Sequence, residues 1–367
     1  MGISGCLCTE LLADIEDGSA VEIKTLCDTF VGRLVGNITG NVIQLRRLDN
    51  TIINVCCKDI CSIRKLPVLP LAYVAINREN DGTTVNVIDT NTDTLINTIV
   101  VGEGPVNAAI TSDGSKVYVV NNADQTVSVI DTLSNSVISV IYVSQNPLGI
   151  AITPNNAKAY VANNIANTLS VIDVSSDTVI GTISTDAPTA IAITPDSTRG
   201  YVTNPLNNSI VVIDISTDTI IDTVNVGTTP FAIAITPDGS KAYVANSGSN
   251  DVSVIDLSDN TIISTISVGN APRAVAITPD GAKAYIANEG SDSLSVIDTA
   301  TNTIVATVLL GATPHSIAIT PNSAKAYVSI QDTTNVTLVN VVDDSVHGSV
   351  TVGAGPTGIA IGMVPVL

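Results

Sequence analysis

From residue 71 onward, short runs of alternating apolar and polar residues are separated by turn-forming stretches, and the pattern restarts about every 42 residues. Tyrosines mark the repeat at 73, 118, 160, 201, 243, 285 and 327, and prolines at 105, 147, 188, 230, 272, 314 and 356. A third series is Asp89, Asp131, Asp173, Asp214, Asp256 and Asp298, with Asn340 in the seventh place. Three independent series at one period define a seven-fold internal repeat. One unit, PRAVAITPDGAKAYIANEGSDSLSVIDTATNTIVATVLLG (residues 272–311), contains four β-rich runs, AVAIT, KAYIAN, SLSVID and TIVATV. The stretches between them, TPDG, NEGSD and DTATN, are built from turn formers. Four antiparallel strands per unit, repeated seven times, predict an all-β chain folded as a seven-bladed β-propeller. The repeat begins at LAYVAIN, a second strand, and ends at GPTGIAIG, a first strand. The C-terminal strand is therefore expected to complete the blade begun by residues 71–101, closing the ring and removing an open edge.

A different pattern precedes the repeat. Residues 20–66 contain the runs AVEIKTL, FVGRLVGNITG, NVIQLRR, TIINVCC and SIRKL, with Gly36 and Gly40 placed to allow sharp bends. Alternation puts Ile43, Leu45, Ile53, Val55 and Cys57 inward and Asn54 and Cys56 outward. This predicts a small β-barrel domain over 20–66, preceded by an N-terminal arm, 1–19. Pro67 and Pro70 disfavour strand pairing and predict a linker at 67–70, with the propeller occupying 71–367.

Composition sharpens the picture. Hydrophobic residues make up 45% but aromatics 3%, with no Trp, so the cores are made of small and β-branched side chains. The net charge of −19 is unevenly placed: residues 1–66 carry eight acids and seven bases, the remainder 26 acids and eight bases. So acidic a propeller argues against nucleic acid as a partner and against anionic membranes. No stretch is long and apolar enough for a membrane-spanning helix. The start, MGISGCLCTELLADIEDG, lacks a basic segment and an apolar core, which predicts synthesis in the cytoplasm without a signal peptide. Cys6 stands where a myristoylation signal requires Ser or Thr.

The repeats resemble the YVTN family of β-propellers; Tyr201-Val202-Thr203-Asn204 spells its signature, and the likeness covers residues 71–367. The resemblance implies a microbial cell-surface or envelope protein engaged in display and binding, although some propellers of this repeat type resemble lyases. Residues 20–66, with FVGRLVG, a TG turn and a late Ile-rich strand, resemble Sm-like small barrels, and more specifically the small-barrel domain of spore-coat proteins. Sm-like barrels often bind RNA. Here Arg33, Arg46, Arg47, Lys58, Arg64 and Lys65 are balanced by acids, and Phe30 stands without an aromatic stacking series. Edge-strand pairing between copies, also a property of small barrels, fits better.

Two groups of residues are candidates for function. Ligands of propellers sit where the innermost strands begin, and the residue after the repeated Pro varies: Val106, Leu148, Thr189, Phe231, Arg273, His315 and Thr357. Phe231, Arg273 and His315 come from consecutive units and form a candidate patch for a sugar or other small ligand. No catalytic residues are assigned: His315 and His347 match no repeat period, and no GxSxG or HExxH motif occurs. A lyase using His315 is the least favoured reading. Asp89-Thr90-Asn91-Thr92-Asp93 has the spacing of half a calcium loop but lacks its Gly and distal Glu, so no metal or cofactor is expected.

The six cysteines, Cys6, Cys8, Cys27, Cys56, Cys57 and Cys61, all lie in the first 61 residues. They form no CxxC pair and have no nearby His, which argues against zinc. Burial suits Cys57 and Cys27 as single thiols, and all six, Cys6, Cys8, Cys27, Cys56, Cys57 and Cys61, are candidates for intersubunit disulfides, with the arm bearing Cys6 and Cys8 placed to reach Cys56 or Cys61 of the next copy. The expectation is a self-assembling surface protein of a spore coat, exosporium or appendage, polymerised through residues 1–66 and displaying the acidic propeller. Its main partner is itself. The alternative is a surface binding module that uses the channel mouth.

Overall fold

The alternating Val, Ile, Ala and Thr runs form strands as expected, joined by turns whose chemistry recurs from unit to unit. A computed structural model describes residues 19–25, 28–34, 42–47, 52–56, 60–77 and 82–366. The residues of the arm 1–18, Gly36 and Gly40, and Cys6, Cys8, Cys27, Cys57 and Lys58, for which the sequence raises expectations, lie outside the described residues.

The first five strands are β1 (Ala20–Thr25), β2 (Thr29–Leu34), β3 (Val42–Arg47), β4 (Ile52–Cys56) and β5 (Ile60–Lys65). They form an antiparallel sheet in the order β4-β3-β2-β1-β5, with β4 and β5 at its edges. Val21, Ile23, Leu34, Ile43, Leu45 and Val55 make its core, and Asn54 and Cys56 are exposed. The inward and outward positions expected for β3 and β4 are therefore observed.

The rest of the described chain makes seven four-stranded antiparallel sheets. The first joins β6 (Val68–Ile76), β7 (Thr84–Asp89) and β8 (Thr94–Val100) to the C-terminal β33 (Pro356–Pro365), in the order β33-β6-β7-β8. Each later sheet is one unit read in sequence order. The sixth, for example, is β25 (Pro272–Ile277), β26 (Lys283–Asn288), β27 (Ser293–Asp298) and β28 (Thr303–Leu309). The first strands of successive sheets contact one another around a closed circuit: β9 (Pro105–Ile110), β13 (Pro147–Ile152), β17 (Ile191–Ile193), β21 (Pro230–Ile235), β25, β29 (Pro314–Ile319), β33 and back to β9. The arrangement is that of a β-propeller-like repeat protein.

The expected linker is corrected. Residues 68–70 belong to β6 and pair with β33, Pro70 opposite Met363 and Val68 opposite Pro365. Proline is tolerated there because its carbonyl points to the turn after β7, where it accepts from Thr90 N at 3.1 Å. Its missing N–H faces the same side, beyond the last rung of the β6–β7 ladder at Leu71–Asp89.

The turns explain two residue series. Each repeated Asp, and Asn340, accepts backbone N–H groups two or three residues ahead, as Asp298 does from Thr301 and Asp214 from Thr217. The same turns end on a left-handed residue, Asp93, Asn135, Asp177, Asp218, Asn260, Asn302 or Asp344, with φ between 50° and 60°. Asp and Asn tolerate that conformation better than other L-residues. Their side chains reach back to the preceding sheet and accept the hydroxyl of its buried Tyr: Tyr201 to Asn260 at 2.8 Å, Tyr243 to Asn302 at 2.6 Å, and Tyr327 to Asp93. Lysines two residues before the Tyr join four of these contacts, including Lys116–Asp177 and Lys283–Asp344, both at 2.8 Å. Asp93 is thereby committed to Lys325 and Tyr327. The Asp89–Asp93 segment is thus a turn and an inter-sheet latch. Between the latches, each Tyr packs with Val and Ile of two sheets, as Tyr118 does with Ile172 and Val174.

The small sheet is tied to this body. Arg33 donates to Ser115 O at 3.2 Å and Thr132 Oγ1 at 3.0 Å and lies 3.5 Å from Asp131 Oδ2. Ala20, Leu66 and Leu133 pack beside it with Val31. Two of the cations counted for RNA are thus engaged, Arg33 here and Arg64 with Glu22 at 2.7 Å.

Candidate functional site

The first strands enclose a cavity of about 270 Å³ at the centre of the circuit. Of the seven variable residues after the repeated Pro, Val106, Leu148, Thr189, Phe231, Arg273 and His315 line it. Thr357 does not; its buried hydroxyl donates to Ala75 O at 3.2 Å and Pro105 O at 2.9 Å. Thr189 spends its hydroxyl on Thr203, the Thr of the YVTN signature, at 2.7 Å. Glycine is required where the walls converge: a Cβ on Gly149 would lie 2.4 Å from the Thr189 carbonyl oxygen.

Phe231, Arg273 and His315 do converge. Arg273 Cζ lies 4.6 Å from the centroid of the Phe231 ring, a cation–π contact. Arg273 Nη1 donates to Glu289 Oε2 at 2.8 Å, from the short 3-10 turn that follows β26. Arg273 Nε and His315 Nδ1 are buried and have no hydrogen-bond partner among the described residues. Burial first, and the Arg273 charge second, pull the His315 imidazole from its ordinary 6.5 down to about 3. It is neutral at physiological pH and offers one donor and one acceptor nitrogen.

Such a site can bind and orient a small guest. Among the described residues no carboxylate pairs with His315, and no group of His, Cys, Asp or Glu is arranged to hold a metal ion. A larger polar cleft of about 600 Å³, lined by Asn167, Asp186, Asn207 and Asn225, lies between the third and fourth four-stranded sheets. There Asn207 Nδ2 donates to Asp186 Oδ2 and Asn167 Oδ1 accepts from Ala187 N, both at 2.8 Å, and Thr185 Oγ1 is buried without a partner among the described residues. The central channel is the stronger candidate because an unpaired guanidinium N–H and an unpaired imidazole nitrogen converge there.

Glu289 was not anticipated from the sequence. It is the one acid among the residues four places after each repeated Tyr, which otherwise are Asn77, Asn122, Asn164, Pro205, Ser247 and Gln331. Of the thiols, Cys56 is exposed on edge strand β4, and Cys61 lies on β5.

Comparison with known proteins supports the fold. Residues 69–231 match the Choice-of-anchor I domain, somewhat less than half of the chain. No curated protein matches. Among solved structures, a protein of unknown function from Desulfotomaculum acetoxidans is 22% identical, with 80% of this chain and 99% of that chain covered and a TM-score of 0.72. A candidate 6-phosphogluconolactonase from Bacteroides uniformis is 17% identical, with coverage of 80% and 99% and a TM-score of 0.69. Hydrazine synthase of Kuenenia stuttgartiensis is 22% identical, with coverage of 70% and 89% and a TM-score of 0.65. At these identities the likeness is one of fold, shared by enzymes and by a protein without an assigned activity.

Proposed function

We propose that the chain is a cell-surface-associated, non-catalytic binding protein, built on a seven-bladed β-propeller whose channel mouth receives a small ligand. The observation that carries this reading is the convergence of Phe231, Arg273 and His315 in the channel, with two buried polar atoms left without partners. The Choice-of-anchor similarity supports surface association. The test is a sugar and small-molecule array probed with the wild type and with the Phe231→Ala, Arg273→Ala, His315→Ala triple variant. Loss of the wild-type signals in the folded variant supports the reading, and a variant that keeps every signal overturns it.

A second reading has its own observation. β4 is an edge strand carrying an exposed free thiol, Cys56. Edge strands add neighbouring strands, so residues 1–66, with their resemblance to spore-coat small barrels, would join copies into a surface layer or fibre locked by disulfides. Gels of native material run with and without reductant decide this: monomer in both lanes excludes the crosslinks.

A further inference from the structure

We propose that the channel mouth is selective for a small monocarboxylate, one oxygen accepting from Arg273 Nε–H and the other from a ring N–H of His315. This rests on the channel-mouth reading above and names the ligand class. Of the eight bases after residue 66, Lys116, Lys158, Arg199, Lys241, Lys283 and Lys325 belong to the series that reaches the following sheet. Among the described residues Arg273 is the remaining one, and it stands in the channel.

Its orientation is fixed on two sides. The Phe231 ring lies against Cζ at 4.6 Å and Glu289 takes Nη1, while Nε is buried without a partner among the described residues and is left for another acceptor. A buried charged donor without an acceptor is costly, and a carboxylate supplies an anionic acceptor for that Nε–H with a second oxygen left for the His315 N–H. Arg273 is also a charged group whose field, after burial, disfavours the protonated form of His315. At physiological salt the distant acids are screened beyond about 8 Å. Glu289, at the site itself, opposes a second negative charge, which disfavours a phosphate dianion. Val106 and Leu148 add apolar wall, and about 270 Å³ limits the guest to a short body.

The experiment titrates the full chain, with 15N-labelled histidine, with butyrate, its neutral isostere butyramide and inorganic phosphate, reading the His315 imidazole signals. Butyrate is expected to give a saturable shift that neither control reproduces. Arg273→Gln should weaken it by about tenfold or more, the scale of one hydrogen bond to a charged group. Glu289→Gln, which removes the competing carboxylate, should tighten it. If Arg273→Gln fails to fold, His315→Gln followed by calorimetry takes its place, again with about tenfold loss expected. Butyramide binding as tightly as butyrate, or a folded Arg273→Gln variant with unchanged affinity, overturns the carboxylate and leaves the channel-mouth reading standing. Absence of any butyrate shift also overturns it. The channel-mouth reading itself falls only if the triple alanine variant keeps every array signal.

Discussion

The inter-sheet latch can be tested at Asp344, which ends the turn between β31 (Asn335–Asn340) and β32 (Ser345–Thr351) at φ 56°. Its carboxylate accepts from the Tyr285 hydroxyl and from Lys283 Nζ at 2.8 Å, and the two charged side chains are 12% and 23% exposed. Asp344→Ala removes the acceptor and leaves Tyr285 a distant carbonyl, Val341 O at 3.5 Å. The buried hydroxyl's bond to a charge is worth about 1.5–3 kcal/mol, and Ala in the left-handed region costs about 1 kcal/mol more. The partly exposed ion pair adds at most about 1 kcal/mol after solvent screening, so the total is about 3–5 kcal/mol. Asp344→Asn keeps the conformation and the acceptor, as Asn302 does naturally for Tyr243, and should lose only the charge, about 1 kcal/mol. With about 2.1 cal/mol/K per residue over roughly 300 residues, 1 kcal/mol shifts Tm by about 1.6 °C. Calorimetry should therefore show a fall of about 5–8 °C for Ala and about 1–2 °C for Asn. In a Tyr285→Phe background the Ala variant should cost about 1.5–3 kcal/mol less, because the hydroxyl is already gone. Equal shifts for Ala and Asn would refute the latch.

Arg33→Ala should leave the propeller transition unchanged while speeding proteolytic cleavage between the small sheet and β6, since Arg33 makes three contacts across that junction. Asp238 is held below its ordinary 3.8 first by the Thr236 hydroxyl and then by Ser240, so its stabilisation is present above that value and lost as pH falls through the lower folded value. Asp238→Asn should accordingly lessen the acid sensitivity seen in pH-dependent urea melts below about pH 4. His315 has the opposite character: its folded pKa, about 3, lies below the ordinary 6.5, so the unfolded chain binds the extra proton between those values and stability rises with pH across that window. His315→Gln should flatten the slope between about pH 4 and 6.5, and an unchanged slope would show that the imidazole charges freely in the channel. Cys56, exposed on an edge strand, should be alkylated in the native reduced monomer during a short iodoacetamide pulse, and protection of that peptide would show β4 covered by a partner.

The repeat was legible because each strand is short, alternating and bounded by turn residues, so periodicity alone located the strands and the closure of β33 on β6. The Asx role of the Asp series was equally local, resting on backbone donors two or three residues away. The latch was not legible, although Asp93, Asn135, Asp177, Asp218, Asn260, Asn302 and Asp344 recur as regularly as the tyrosines. Every series shares one period, so spacing cannot say which series touches which. The partner of Tyr243 is 59 residues on, in the next sheet. Residues 68–70 were misread for a related reason: whether a proline breaks a ladder depends on the side its missing N–H faces, which the sequence does not show. At the channel, the variability after the repeated Pro was visible, whereas the Glu289 contact depends on a turn of different conformation from its counterparts.

This division of labour bears on why the chemistry gathers at three consecutive sheets. Cohesion comes mainly from the buried Tyr hydroxyls, their Asp or Asn acceptors and the apolar layers between sheets; of the residues after the repeated Pro, Val106 packs against one such layer and Thr189 and Thr357 hydrogen-bond within the ring, whereas Phe231, Arg273 and His315 belong to none of these clusters. At those three positions the buried apolar clusters do not dictate the side chain. A guanidinium costs least on a wet surface, and this strongly acidic domain has many places where Arg273 would meet a carboxylate in full solvent. It stands instead in the channel with a buried Nε–H unpaired, beside an imidazole whose charging it opposes. Its contacts with Glu289 and Phe231 hold it there but give no reason for the unpaired Nε–H, and an apolar residue like Val106 or Leu148 fills the equivalent position elsewhere in the ring. A ligand that completes the hydrogen bonds supplies one, and it makes a prediction that packing does not: butyrate should raise the melting temperature of the wild type and leave Arg273→Leu unmoved.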